Sequence, residues 1–547
     1  MHHLAERITA VLLVSLVWLL PGVREAAAQP IDSLTSWEGS MDYFATGAPL
    51  AVPAAADPYD VEVLSQPASV QVGAGDVPAT ATVVAAYLYW AGTIPDQSDC
   101  ANAPVSIDDE VLLTLPGQAV GAPVTADECF CSPGATSYDI QACRVDITSG
   151  VVTSGMIGTF TVDDFACDVA GSGSTDNASF SLVLVYEEPA LLPPRRITLY
   201  DGLEEMYQTS RTIGLTGLDV DTPAQGELTW YVLDGDIGGS TGLEQVSVQG
   251  TPGGMSAVVS DAVNPSDNPM NRTINTTSPA QTGVVGVDID RLDLSAGLTP
   301  GDVAVDVTLT AENDKFWVVY NLVGINVYRA LIHPKTSTKE WVLHVDADAS
   351  GDVTPGDTIR YTIHLDNVGT APGYVDVTDA IPAEAASWTL VDGAGGTDLS
   401  TATQLVVEDI HLDAGASVDV VLDVVLAAGT EGLSMENIAL FDAGPDGNAG
   451  AILAVSVTIH GGEEPDAGVV DAEVPSPDGA GSDTDAEATG PDSAAGDSDA
   501  VSGADAGDPG TGRAAGCGCR SGGGGAPVWL MVALMVGVFL RRRRCHG

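Results

Sequence analysis

Positive charge is what this 547-residue chain lacks most. Nineteen Lys and Arg stand against 76 Asp and Glu, a formal net charge of −57, and only three lysines occur: Lys315, Lys335 and Lys339. Such a surface repels phosphate backbones and anionic lipid, so nucleic acid is set aside as a partner. Aromatic residues make up 5% of the chain, few for a protein that stacks rings against sugars. No H-E-x-x-H, phosphate-binding loop or dinucleotide fingerprint occurs. One literal G-x-S-x-G, Gly238 to Gly242, is followed by "LEQVSVQG". That reads as a strand, where a nucleophile elbow needs a helix, so Ser240 is expected to be a loop residue. The histidines between the two ends, His333, His344, His364, His411 and His460, stand in no triad context. Long helical periodicity is missing as well, outside the two ends.

Short apolar or alternating runs, bounded by Gly, Pro, Asp and Asn, fill the space that helices leave. "ATVVAAYLYWAG", "GTFTVDDFA", "ASFSLVLVYEEP", "RRITLYDGL", "GELTWYVLDG" and "DVTLTAENDKFWVVYNLVGINVY" predict strands. The fold class is therefore all-β. Residues 29–332 are expected to form one elaborate sandwich or two smaller ones. Pro334, in "HPKTSTKE", marks a boundary. Residues 340–460 form a further unit in which "RYTIHLDNV" alternates with period two, as a half-buried strand should. From 461 to 516 the composition shifts to Asp, Glu, Gly, Ala, Ser and Pro. Fourteen acids there face Arg513 alone. Without large apolar side chains, burial cannot offset chain entropy, and an extended acidic stalk or a disordered interaction tail is expected.

Both ends carry targeting features. Arg7, the apolar "ITAVLLVSLVWLL" and Ala26-Ala27-Ala28 before Gln29 follow a signal-peptide pattern, giving a leader over 1–28 with cleavage between Ala28 and Gln29; a retained helix is the alternative. The chain closes with Cys517-Gly518-Cys519, a glycine-rich spacer, a 15-residue apolar stretch from Ala526 to Leu540, and Arg541 to Arg544. A spanning helix needs about 20 apolar residues, so a processed tag fits this ending better than a plain anchor, and the arginines would stay cytoplasmic. Residues 517–547 resemble the C-terminal sorting tag of myxobacterial surface proteins. The resemblance implies cleavage by a sorting protease near Cys517 or Cys519, a lipid anchor there, and delivery to the cell surface and outer membrane after a transient stay in the inner membrane.

A second resemblance rests on Pro355-Gly356-Asp357, "IRYTIHLDNVGTAP" and "VDVTDAIP". Residues 340–460 are similar to the conserved repeat domain of many bacterial surface proteins, which implies an immunoglobulin-like sandwich. The region before it, in "AYLYWAG", "VDITSGV", "SLVLVYEEP" and "RRITLYDGL", looks like the domain that often precedes such repeats, some myxobacterial relatives of which carry a gliding-motility label. The sequons "NAS", "NRT" and "NTT" would be idle in a bacterium.

Export permits disulfides, and Cys100, Cys129, Cys131, Cys143 and Cys167 cluster in one region. Two bridges are expected among the five. Cys129 and Cys131, one residue apart, should bond elsewhere than to each other; the fifth cysteine would be unpaired or joined to another chain. A cysteine metal site is disfavoured, because no second C-x2-C and no nearby histidine accompany them. The candidate metal site lies instead in "DADASGDVTPGD", where Asp346, Asp348, Ser350, Asp352 and Asp357 alternate around Gly351. Hard cations take six to eight oxygens, and a tight loop can turn alternate side chains inward. Calcium is the cofactor this spacing suggests, with a solvated acidic turn as the alternative. Asp288, Asp290 and Asp293 form a second, weaker cluster, of which Asp288 and Asp290 should share one strand face.

These features predict an exported, surface-anchored, non-enzymatic structural or adhesive protein. Its partners would be the membrane, through the tag, and other surface proteins or polysaccharide, in cell contact or gliding. A surface hydrolase with a carboxylate site hidden in 29–332 is the alternative, and a passive surface-layer component a third.

Overall fold

The computed structural model describes residues 29–461, apart from 54–60, 95–106, 133–138, 168, 170–176, 236–242, 285 and 445–446. Ala28, Cys100, Ser240, the acidic segment beyond 461, Cys517, Cys519 and the apolar stretch 526–540 therefore lie outside the described residues. Among the described residues no helix is long and apolar enough to cross a membrane. Among the described residues the structure is all-β, with one short α-helix at Thr148–Ser154.

Each predicted run is a strand: Thr82–Thr93, Gly158–Asp163, Ala178–Glu187, Arg195–Met206, Gly226–Leu233, Glu244–Thr251, Ala304–Ala311 and Phe316–Asn326. The N-terminal region holds two sandwiches packed face to face. Four sheets are stacked over three apolar cores. An outer four-stranded sheet containing Ala68–Val72 and Gly158–Asp163 packs on a five-stranded sheet centred on Thr82–Thr93, through Val70, Trp90, Phe160 and Phe180. The other face of that five-stranded sheet packs on a second one centred on Phe316–Asn326, through Tyr89, Val183, Leu199, Trp317 and Leu322. The far face of the second sheet meets an outer sheet of Thr209–Thr216, Ala304–Ala311 and Glu244–Thr251, through Ile213, Trp230, Val246 and Val307.

This layering explains the two kinds of strand in the sequence. Inner strands face a core on both sides, so "FWVVYNLVGIN" is buried at every position, as continuous apolar strands are. Outer strands face water on one side, so Ala304–Ala311 alternates. The middle core is the richest in tyrosine, with Tyr43, Tyr89, Tyr231 and Tyr320, whose hydroxyls need partners. Tyr231 Oη and Ser179 Oγ are 2.7 Å apart, Tyr320 Oη and Ser181 Oγ 2.8 Å, and Tyr89 donates to Asp201 at 3.2 Å.

The third sandwich follows His333. One sheet orders Thr338–Val345, Thr358–Asp366, Ser417–Leu426 and Ala385–Asp392; the other carries Gln404–Leu412, Gly373–Ala380, Ile438–Asp442 and Ala449–Leu453. All of these pairings are antiparallel, and Thr358–Asp366 alternates without a break, giving the immunoglobulin-like arrangement expected. Asn448 joins this sandwich to the connecting segment: its Oδ1 accepts the Ile332 N–H at 2.9 Å and its Nδ2 donates to the Ile332 carbonyl at 2.7 Å.

Cys129 and Cys143 face each other on neighbouring strands and form a disulfide. Cys131 is also disulfide-bonded. Cys167 is buried, its Sγ 3.0 Å from both the Thr93 and Asn177 carbonyl oxygens. It is thus placed inside the protein rather than where a second chain could reach it.

Candidate functional site

The acidic loop 346–357 closes the hairpin between Thr338–Val345 and Thr358–Asp366. Ala349, Gly351 and Gly356 have φ of 61°, 81° and 94°, and these left-handed turns wind the loop back on itself. Three of the five expected ligands converge: one oxygen from each of Asp346, Asp348 and Asp357 lies within 4.8 Å of the others. Asp352 is outside this group and exposed. Ser350 acts as a donor, its N–H reaching Asp346 Oδ1 at 3.1 Å and Asp348 Oδ1 at 3.0 Å. Asp357 is buried and clamps the loop, accepting from the Ala347 N–H (2.7 Å), the Thr354 N–H (2.7 Å) and the Thr354 hydroxyl (2.9 Å). The Ser350 hydroxyl and N–H hold the Asp348 carboxyl below its usual range. An all-oxygen, triply acidic loop suits a hard cation. Asp346, Asp348 and Asp357 would hold it, though the N–H donors already use part of their acceptor capacity.

Asp288 and Asp290 share a face of Val287–Asp293, as the alternation predicts; both are fully buried and Asp293 is exposed. Asp288 Oδ1 accepts the Thr273 N–H at 3.0 Å, and Asp290 Oδ1 accepts the Asn275 N–H at 2.8 Å. The Thr273 hydroxyl lies 2.8 Å from Asp290 Oδ2 and Asn271 Oδ1, and 3.1 Å from Asn264 Oδ1. Burial raises both carboxyls, and for Asp288 the charge of Asp290 adds to it. Keeping a carboxyl of the pair protonated relieves the cost of two enclosed negative charges.

Two further polar clusters give no signal in the sequence, because their members are far apart in it. The first lines a groove of about 310 Å³. There Asp42 and Glu227 are clamped by Arg195 and Arg291, with Arg195 Nη2 and Arg291 Nε each 2.9 Å from Glu227 Oε2. Burial pushes the Glu227 carboxyl up, but the two arginines outweigh it and leave it below the usual range. The second joins Lys339 to Asp379 across the third sandwich.

No protein-family model matches the chain, and no curated protein does. Solved structures similar to parts of it include a beta-galacturonidase from Eisenbergiella tayi bound to galacturonate (10% identity, TM-score 0.14, 48% of this chain and 36% of that one). Others are a beta-glucuronidase from Bacteroides uniformis (10%, 0.12, 48% and 26%) and an exo-chitosanase from Amycolatopsis orientalis (14%, 0.15, 68% and 33%). The chain spans about a third of the length of these proteins, and none of their site chemistry is carried over to it.

Proposed function

We propose that the chain is an exported, cell-surface-anchored structural or adhesive protein that acts by binding rather than by bond cleavage, in cell contact or gliding. The leader and the processed, lipid-anchored tail would deliver it. The sandwiches would present its surfaces to other surface proteins or polysaccharide, and calcium at Asp346, Asp348 and Asp357 would stiffen the end of the last one.

The observation that carries this reading is an apolar row on the outer face of the third sandwich. Ile438 and Leu453 are directly paired across two strands, with Leu440 two residues from Ile438. They are 42%, 64% and 49% exposed. Such clustering on a soluble surface marks interaction. The acids of residues 29–332 point the same way. Glu227 and Asp42 are held by arginines, which suits a strut better than a general acid. Asp288 and Asp290 have raised pKa values but are enclosed, where no substrate reaches them among the described residues.

Binding of the purified, fluorescently labelled protein to whole cells tests this. Leu440→Glu combined with Leu453→Glu should lower cell binding at least tenfold with an unchanged melting temperature. Unchanged binding would remove the adhesive reading.

A further inference from the structure

Lys339 is a lysine sealed inside a protein core. Its ammonium and the Asp379 carboxylate are both 0% exposed, with Nζ 2.5 Å from Asp379 Oδ2. Asn437, 3% exposed, completes a triad: its Nδ2 is 3.4 Å from the same Asp379 oxygen. The three come from three places. Lys339 is on the first strand of one sheet, Asp379 on the central strand of the other, and Asn437 just ahead of Ile438–Asp442. The backbone brings them together, since Lys339 bridges Ala454, whose N–H donates to the Asn437 carbonyl at 3.2 Å. The Tyr361 ring lies 4.9 Å from Nζ, and both the Tyr361 hydroxyl and Asp379 Oδ1 are buried without a hydrogen-bond partner.

A plain buried ion pair is a poor explanation of this arrangement. Desolvation makes an isolated buried pair neutral or worse for stability than an apolar substitute, and two further polar atoms here go unsatisfied. Burial lowers the Lys339 amine and raises the Asp379 carboxyl, the charge of each partner working against it. The pair is thereby brought closer to amine plus carboxylic acid. A neutral amine is a nucleophile, and Asp379 Oδ2 lies between it and the nitrogen of a carboxamide.

We propose that Lys339, Asp379 and Asn437 form an intramolecular isopeptide bond, Lys339 Nζ to Asn437 Cγ, with Asp379 as the proton shuttle. Asp379 takes one proton from the ammonium. The amine lone pair attacks Asn437 Cγ, forming the C–N bond. Asp379 passes its proton to Nδ2, the Cγ–Nδ2 bond breaks, and ammonia leaves. The remaining surplus proton on Nζ goes to Asp379, which yields it to the departing ammonia as ammonium. Atoms and charge balance, and no oxidant, reductant or cofactor is needed. Asp379 Oδ2 holds the amine and the carboxamide nitrogen on one buried oxygen, the pre-organisation that such a step draws on. The product joins the two sheets covalently.

The test is mass spectrometry of the purified full chain after disulfide reduction and proteolysis. The expected result is one branched peptide linking Lys339 to Asn437, lighter than its two components by one ammonia. Full recovery of separate peptides with an unmodified Lys339 overturns the proposal. So does a branched peptide lighter by one water and joined at Asp379, which would mean direct Lys–Asp condensation. Asp379→Asn should abolish the branched peptide. If that variant fails to fold, the wild-type digest alone decides.

Discussion

Asp357 and Asp348 belong to the same loop but are built for different work. Asp357 is buried and accepts two backbone N–H groups and a hydroxyl. Truncating it orphans those donors at about 1–3 kcal/mol each. Asp357→Ala should therefore lower the melting temperature of the third sandwich even in chelator. Asp348 is exposed, so Asp348→Ala should lower melting in chelator far less than Asp357→Ala does, while removing most of the upward shift that added calcium gives. Thermal melts with and without calcium separate the two. At Asp290 the prediction concerns pH. The folded-state pKa is raised above the unfolded value of about 3.9. Its contribution is thus fully present below that value and is lost as pH rises through the folded pKa. Asp290→Asn should gain stability relative to the parent as pH rises from about 4 past neutrality, read by urea midpoints across that range. A constant difference would mean that the carboxyl keeps an ordinary pKa.

Strand identity was open to view in the sequence because burial repeats along the chain. Alternation in "RYTIHLDNV" reports one covered face, and the unbroken apolar run of "FWVVYNLVGIN" reports two. What covers the second face is not written locally, so the four-sheet stack was out of reach of periodicity. The acidic loop was legible for a related reason: its carboxylates are contiguous. Lys339, Asp379 and Asn437 are 40 and 58 positions apart in successive pairs, and only the pairing of strands brings them together. The tightness of the stack shows at Gly47 on an inner strand. A Cβ there would stand 2.1 Å from the Phe180 carbonyl oxygen and 2.4 Å from Ile289 Cδ1, on the neighbouring sheet. Gly47→Ala should destabilise the stack by at least about 1–3 kcal/mol. Thr212→Ala, on an exposed outer-strand position, should stay within about 0.5 kcal/mol. Denaturant melts of both variants check the contrast.

For the molecule as a whole, the shared middle core means that the two inner sheets of residues 29–332 cannot part without exposing Tyr89, Leu199 and Trp317. Calorimetry should show one cooperative transition for that region and a second for residues 338–460, which has its own core. Calcium should move only the second. Two calcium-insensitive transitions from the N-terminal region would show that the middle core is a weak joint.

The course of the chain through the third sandwich bears on mechanical load. It enters beside Asn448 at Ile332 and is last described beside the acidic loop, where the His460 N–H donates to the Val353 carbonyl at 2.7 Å. The first strand runs from Thr338 at the entry end to Val345 at the loop end. It is about 25 Å long at roughly 3.3 Å per residue. A tether pulling on residue 461 against a fixed N-terminal stack would therefore stretch the sandwich along its strands. Its inter-strand hydrogen bonds would be loaded together in shear rather than unzipped one at a time, and the domain would serve as a stiff link in a chain under tension.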